Sequence, residues 1–312
     1  MFRSNIIIDW FKLFQKKGGQ QMAKAAMSEM LQDASRRGYA VPCFNAINLD
    51  MIRGIIEAAE EERSPVILCH AEIHFKYTPL EQIAPIMVEA MNRASVPVSI
   101  LLDHGKSFSA AMQAMQLGFN AIMFDGSEYA YEENVKRTAE VVKIAHTLGV
   151  SVEGELGYVT RPRSGGAEGE DDDSVIDDTS LYTDPEQAAE FVERTGIDAL
   201  AAAFGTVHGV YLKKPVLDLP RLKQIRERAG VPIVMHGGSG LSDSDFSQTI
   251  DQGVAKINYY TGMALQVMER AKTRLAQADE SVFYHEYMMH AIHDIRDDAQ
   301  HIMRKFRSSG KA

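Results

Sequence analysis

Three histidines in this chain are each followed directly by glycine: His104-Gly105, His208-Gly209 and His236-Gly237. Each stands at or just beyond the carboxyl end of a short apolar run, at 96–102, 199–204 and 231–235. Imidazole nitrogens are common metal ligands, and three of them with an open fourth position fit a catalytic zinc site. Nitrogen donors disfavour magnesium and calcium but leave cobalt, iron or manganese open. The glycines give a ligand and the backbone room to approach. Asp103, immediately before His104, has two readings: a carboxylate that holds another ligand's imidazole, or a proton-transfer group for a substrate oxygen.

A second group of residues suits an anion. Gly237-Gly238-Ser239-Gly240 precedes Ser242-Asp243, a helix-capping start, and Asn258-Tyr259-Tyr260-Thr261 opens the next helix. Backbone N–H groups at helix starts offer donors and the positive end of the helix dipole. Ordinary caps and tight turns would give the same pattern.

These residues need a scaffold, and the chain repeats one. Helical patterns end in Gly or Ser, followed by Val or Pro and a short apolar run, as at 63–66, 94–97, 148–151, 229–232 and 252–255. Gly closes a helix in the left-handed conformation and Pro blocks its continuation. Strands are expected at 40–46, 65–71, 97–104, 121–126, 151–157, 199–205, 232–238 and 254–260. Helical-period segments such as 49–63, 79–94 and 131–147 lie between them. Eight alternating units favour an α/β fold of the closed (β/α)8 TIM-barrel kind, with extra N-terminal and C-terminal helices. Asn45, Asp103, His104, Asp125, Glu153, Glu155, His208, His236 and Asn258 would then point to one rim, where barrel active sites sit. The loops after the seventh and eighth strands are also where barrels often bind phosphate.

Composition narrows the partners. The 312 residues, 45% hydrophobic, suffice for one large core, expected over 22–312. Residues 1–21 read as a separate extension, with an apolar stretch at 6–14 that suits a short amphipathic helix. A formal charge of −10 argues against nucleic acid as partner. Two cysteines suit a reducing cytoplasm, and no apolar stretch reaches the ~18 residues of a membrane span. The long stretch 158–183 is acidic at 168–173 and reads as a surface loop or an active-site lid. Closing helices are expected at 261–277 and 281–307, and the basic last ten residues are expected to fray.

Taken in order, Phe44-Asn45, Leu102-Asp103-His104-Gly105, Phe124-Asp125-Gly126-Ser127, Val152-Glu153-Gly154-Glu155-Leu156-Gly157, Gly205-Thr206-Val207-His208-Gly209, His236-Gly237-Gly238-Ser239-Gly240 and Lys256-Ile257-Asn258 resemble the class II, metal-dependent ketose-bisphosphate aldolases of the fructose- and tagatose-bisphosphate group. The resemblance runs from residue 22 to 305. It implies one zinc ion per chain on His104, His208 and His236, with Glu155 as a further ligand and Asp125 as an acidic neighbour. It implies Asp103 as the catalytic proton donor. Substrate contacts are implied for Asn45, Gly209, Gly237, Gly238, Ser239, Asn258, Tyr259, Tyr260 and Thr261. Glu168 matches the base of a Gly-Gly-x-Glu-Asp loop, although Gly169 stands where Asp is usual, and Glu170 could replace it.

Further departures are Cys69-His70-Ala71-Glu72 and Tyr259-Tyr260, which would reshape the pocket. The implied reaction is reversible cleavage of a phosphorylated ketose into dihydroxyacetone phosphate and an aldehyde by a cytoplasmic homodimer or homotetramer. Acid–base transfer supplies ~10²–10⁴-fold, about 3–5 kcal/mol, whereas enzymes lower barriers by at least ~8 kcal/mol. The metal must then be the larger contributor. Two other readings stay open: a Schiff-base aldolase using Lys256, and a non-catalytic sugar-phosphate-binding subunit.

Overall fold

The computed structural model describes residues 24–161, 178–209, 211, 215–278 and 281–312. Eight parallel strands close into a barrel in chain order. They are β1 Val41–Asn45, β2 Val66–Ala71, β3 Val98–Gly105, β4 Ala121–Phe124, β5 Ser151–Leu156, β6 Ala199–Ala202, β7 Ile233–Met235 and β8 Val254–Tyr259. β8 closes on β1 with Asn258 beside Cys43. Seven of the expected strands contain an observed one, and the third overlaps β3, which runs one residue further, to Gly105. The sixth and seventh are shorter than expected because β6 and β7 pair only at Leu200–Ile233 and Ala201–Val234. His208 and His236 therefore stand on loops beyond their strands.

Alternation along the strands makes two cores. On β3, Val98, Ile100 and Leu102 face the helices, while Leu101 faces the barrel interior with Cys43, Cys69, Ala201 and Val234. The helical layer comprises α1 Met27–Arg37, α2 Leu49–Glu62, α3 Leu80–Arg93, α4 Phe108–Gln116, α5 Tyr131–Thr147, α6 Pro185–Thr195, α7 Leu219–Ala229, α8 Asp243–Asp251, α9 Thr261–Ala276 and α10 Tyr284–Lys305. α1 closes the end of the barrel away from the loops that carry the histidines. Its Met27, Met30, Leu31 and Ala34 join the interior core, and Ser28 N donates to Ser151 Oγ at 3.2 Å. No helix among the described residues is long and apolar enough to cross a membrane.

The chain terminus corrects an expectation: it is docked, not frayed. Phe306 and Ser308 are fully buried, and Ser64 Oγ donates to Ser308 Oγ at 2.7 Å. Gly310 N donates to Glu62 O at 2.8 Å and Ala312 N to Arg63 O at 2.9 Å, so the tail's own backbone is satisfied by the end of α2. The extension at 1–21 lies outside the described residues, as do Glu168 and Glu170.

Candidate active site and metal centre

β3 ends in a local irregularity. Its register with β4 shifts between Leu102 and Gly105, and His104 adopts φ 44°. A non-glycine residue in the left-handed region costs roughly 1–3 kcal/mol and persists where surrounding contacts hold it. The result defeats strand alternation: Asp103 and His104, adjacent in sequence, both reach the same cavity. A close backbone approach brings the other two histidines in. Gly237, at φ 72°, lies so near Val207 that a Cβ would meet Val207 O at 2.3 Å. Only glycine lets the His236 turn pack directly on the residue before His208.

The three imidazoles form one cluster. Ring centroids are 4.8 Å apart for His104–His208, 4.6 Å for His104–His236 and 5.6 Å for His208–His236. One ring nitrogen of each is committed elsewhere. His104 Nδ1 is 2.8 Å from Asp125 Oδ2, His208 Nδ1 is 3.2 Å from Val159 O, and His236 Nε2 is 2.9 Å from Glu153 Oε1. An N–H donated to each acceptor fixes the tautomer and leaves the other nitrogen's lone pair for a ligand. His104 Nε2 and His208 Nε2 are 3.1 Å apart, and His236 Nδ1 is buried without a partner. One ligand atom from each of the three lies within 4.8 Å of the others. Two lone pairs at this range repel unless a cation or a proton sits between them. Two nitrogens bound ~2.0–2.1 Å from a tetrahedral zinc would stand about 3.3 Å apart, so the donor set fits that ion.

Electrostatics separates the imidazoles. Burial lowers the basicity of His104, but Asp103, Asp125 and Glu155 around it hold it up at about 9. Burial and the neighbouring His104 push His208 and His236 well below the usual histidine value. Burial alone would raise the Asp125 carboxyl, but its contacts with His104, Ser127 and Arg161 keep it far below the usual range. Glu155 is pushed up to about 8 by burial and by Asp125. Both its oxygens are buried without a hydrogen-bond partner, and Oε2 lies 3.8 Å from His104 Nδ1. Glu155 thus groups with His104 and Asp125, on the Nδ1 side of His104, whereas His208 and His236 face the Nε2 side.

Asp103 holds no imidazole. Asn45 Nδ2 donates to its Oδ2 at 2.8 Å and Asn258 Nδ2 to its Oδ1 at 3.0 Å. Although burial opposes it, nearby His104, His236 and Lys256 keep Asp103 below the usual carboxylate range. It borders a cavity of about 340 Å³ together with all three histidines. All nine residues expected to contact substrate line this cavity: Asn45, Gly209, Gly237, Gly238, Ser239, Asn258, Tyr259, Tyr260 and Thr261. Gly238 N donates to Asn258 O at 3.2 Å and Gly262 N to Ser239 Oγ at 3.0 Å, which ties the seventh-strand loop to the eighth.

Other wall residues were not singled out from sequence as contacts. Lys106 follows the Asp-His-Gly triplet directly, and Arg161 lies five residues past the end of β5, within the long stretch that follows it. The two departures from the family pattern meet in space. Glu72 and Ile73 line the cavity beside Tyr260, whose ring lies 5.0 Å from that of His74. Cys69 and His70 are buried behind that wall. Glu153 corrects a second expectation: it lies inside the barrel below the rim, because β5 sends Ser151, Glu153 and Glu155 inward at successive heights. Lys256 is fully buried, and its Nζ donates to Glu153 Oε2 at 2.7 Å. An enclosed, ion-paired ammonium is ill placed to attack a carbonyl, which counts against the Schiff-base reading.

A family model described as fructose-bisphosphate aldolase class-II matches residues 25–311. The chain belongs to that family. It is 40% identical over 297 residues to a fructose-bisphosphate aldolase of Geobacillus stearothermophilus, covering 93% of this chain and 99% of that one. A fructose-bisphosphate aldolase of Staphylococcus epidermidis is 38% identical over 295 residues, with 93% and 100% covered. Among solved structures, the YdjI aldolase of Escherichia coli K12 superposes with a TM-score of 0.81 at 36% identity, covering 93% of this chain and 99% of that one. This protein is therefore an aldolase, a carbon–carbon lyase of a family that is in general zinc-dependent.

Proposed function

We propose that this aldolase reversibly cleaves a phosphorylated ketose, a 1,6-bisphosphate such as tagatose or fructose bisphosphate or a related sugar phosphate, into dihydroxyacetone phosphate and an aldehyde. The observation that carries the reading is the convergence of three imidazoles, each with one nitrogen committed to an acceptor, beside Asp103 on the cavity wall. His104, His208 and His236 would hold the zinc; Glu155, expected from sequence as a further ligand, groups instead with His104 and Asp125 on the opposite side of the His104 ring and would not share that ion. When bound, the ion supplies Lewis acidity toward the substrate carbonyl, worth several kcal/mol.

The chain's own residues supply the rest. The amides of Asn45 and Asn258 donate to both Asp103 oxygens, which favours the proton-free carboxylate. In cleavage Asp103 takes the C4 hydroxyl proton, and in synthesis it returns that proton to the aldehyde oxygen. Ser239 Oγ accepts from the start of α9, so its own hydroxyl hydrogen is available to a phosphate. Gly237 and Gly238 let that phosphate come close to the backbone, and anchoring it orients the reacting carbons. Glu168 is the loop residue we assign to the second proton transfer, at the carbon beside the carbonyl.

A zinc assay followed by coupled detection of dihydroxyacetone phosphate from tagatose and fructose bisphosphates tests this. Stoichiometric zinc and chelator-sensitive, zinc-restorable cleavage are expected. Asp103→Ala should keep the metal and lose ~10²–10⁴-fold in kcat. Full activity in the metal-loaded Asp103→Ala protein would remove Asp103 from the mechanism, and full activity without metal would remove the reading itself.

A further inference from the structure

One buried cation has no contact role in the chemistry above, beyond the charge by which it helps keep Asp103 ionised. Lys256 sits within β8, does not line the cavity and has no exposed side-chain surface, and the same holds for Glu153 on β5. Lys256 Nζ donates to Glu153 Oε2 at 2.7 Å, and Glu153 Oε1 accepts from His236 Nε2 at 2.9 Å. A buried ion pair is a poor device for stability, because desolvating both charges offsets most of their attraction. A well-packed apolar pair would fill the barrel as well, so the pair needs another explanation.

The three imidazoles suggest one. His208 is fixed by a backbone carbonyl, which cannot reorient. His104 is fixed by Asp125, a short side chain that also accepts from Ser127 N and Oγ through its other oxygen. Glu153 is longer and serves His236 from below, so one of its oxygens would be loose without a second donor. Lys256 is that donor. With Glu153 pinned, the hydrogen of His236 stays on Nε2 and the lone pair of Nδ1 faces the other two imidazoles. In the other tautomer Nδ1 would carry the hydrogen and could not ligate.

We propose that Lys256 is a positioning residue for the metal centre: its ammonium anchors Glu153, and through Glu153 it sets the tautomer and ring orientation of His236. The inference rests on the metal reading of the site, but it is tested on metal binding rather than turnover. A wild-type chain that takes up no zinc counts against that reading. A Lys256 variant with wild-type zinc binding counts against Lys256 alone.

The test uses the full chain and two variants. Lys256→Met removes the ammonium and keeps its volume. Lys256→Met with Glu153→Gln removes both charges and guards against misfolding from an unpaired buried carboxylate. Folding is checked by circular dichroism, zinc affinity by competition with a chromophoric chelator, and coordination by the visible spectrum of the cobalt-loaded protein. Lys256→Met should lose about 10–100-fold in zinc affinity, with a changed cobalt spectrum. The double variant should fold and still bind zinc several-fold more weakly than wild type, because the amide introduced by Glu153→Gln has no ammonium to anchor it. Wild-type zinc affinity with an unchanged cobalt spectrum in either folded variant overturns the proposal.

Discussion

Two of the imidazoles are held by the same chemical arrangement built in two different surroundings. At the rim, His104 meets Asp125, which meets Arg161 at 3.3 Å. Inside the barrel, His236 meets Glu153, which meets Lys256 at 2.7 Å. The rim cation borders the cavity and is shared with Glu128 at 3.1 Å, whereas the inner cation reaches neither solvent nor cavity. The inner triad is a fixed foundation. The rim triad belongs to the working surface, where a ligand's charge can redistribute its contacts.

The largest expected effect comes from cutting each triad at its carboxylate. Glu153→Ala strands an unpaired ammonium in the barrel and should lose about 3–5 kcal/mol of stability. Asp125→Ala leaves Arg161 with Glu128 beside the cavity, and should cost about 1–3 kcal/mol through its lost hydrogen bonds. Chemical denaturation of the two metal-free variants measures both. Equal losses would mean that the rim and the interior are not different environments, and the contrast would fail.

A smaller effect separates the imidazoles by pH. In metal-free protein His104 is held up at about 9 and Glu155 at about 8, both above their ordinary values. For both groups the folded state binds a proton more tightly than the unfolded chain does. The stability this supplies is present at low pH and is lost as pH rises through 8 and 9. His208 and His236 are held low, so above about pH 7.5 they are neutral in both states and add no slope. The melting temperature of metal-free protein should therefore fall from pH 7 to pH 9. Zinc competes with the same proton, so the increment that zinc adds should grow over that interval. Thermal scans with chelator and with zinc test both trends. A metal-free melting temperature that rises with pH would take the proton away from the rim imidazole.

Much of this was legible in the sequence because it is periodic or local. Eight apolar runs separated by helical patterns pointed to the barrel, and three His-Gly pairs at strand ends marked the imidazoles that the fold brings into one cluster. What was not legible depends on height, backbone angle or distant partners. Glu153 and Glu155 are two residues apart and share a face of β5, so alternation cannot tell that one supports from below while the other reaches His104. The shared reach of Asp103 and His104 needs a left-handed histidine, which residue type does not announce. The tail looked loose because it is basic, but its hydrogen bonds run to Glu62 and Arg63, far away in sequence.

The smallest expected effect sharpens the rim side of the comparison. Lys106 and Arg161 line the cavity from the ends of β3 and β5, across the barrel from the β7 and β8 loops that carry Ser239 and Thr261. A ketose bisphosphate carries an anion at each end, so one phosphate at the Ser239 side leaves the other free to meet these cations. Lys106 is 45% exposed and already pairs with Glu128, so the contact should be worth only about 0.2–1 kcal/mol. Lys106→Ala should then raise KM for a bisphosphate by up to about fivefold and leave kcat nearly unchanged. A ketose 1-phosphate with an uncharged far end should show no change. Steady-state kinetics on the two substrates decides the point: an equal rise in KM for both would mean that Lys106 does not read the distal anion, and that exchangeable contacts at the rim lie with Arg161 alone.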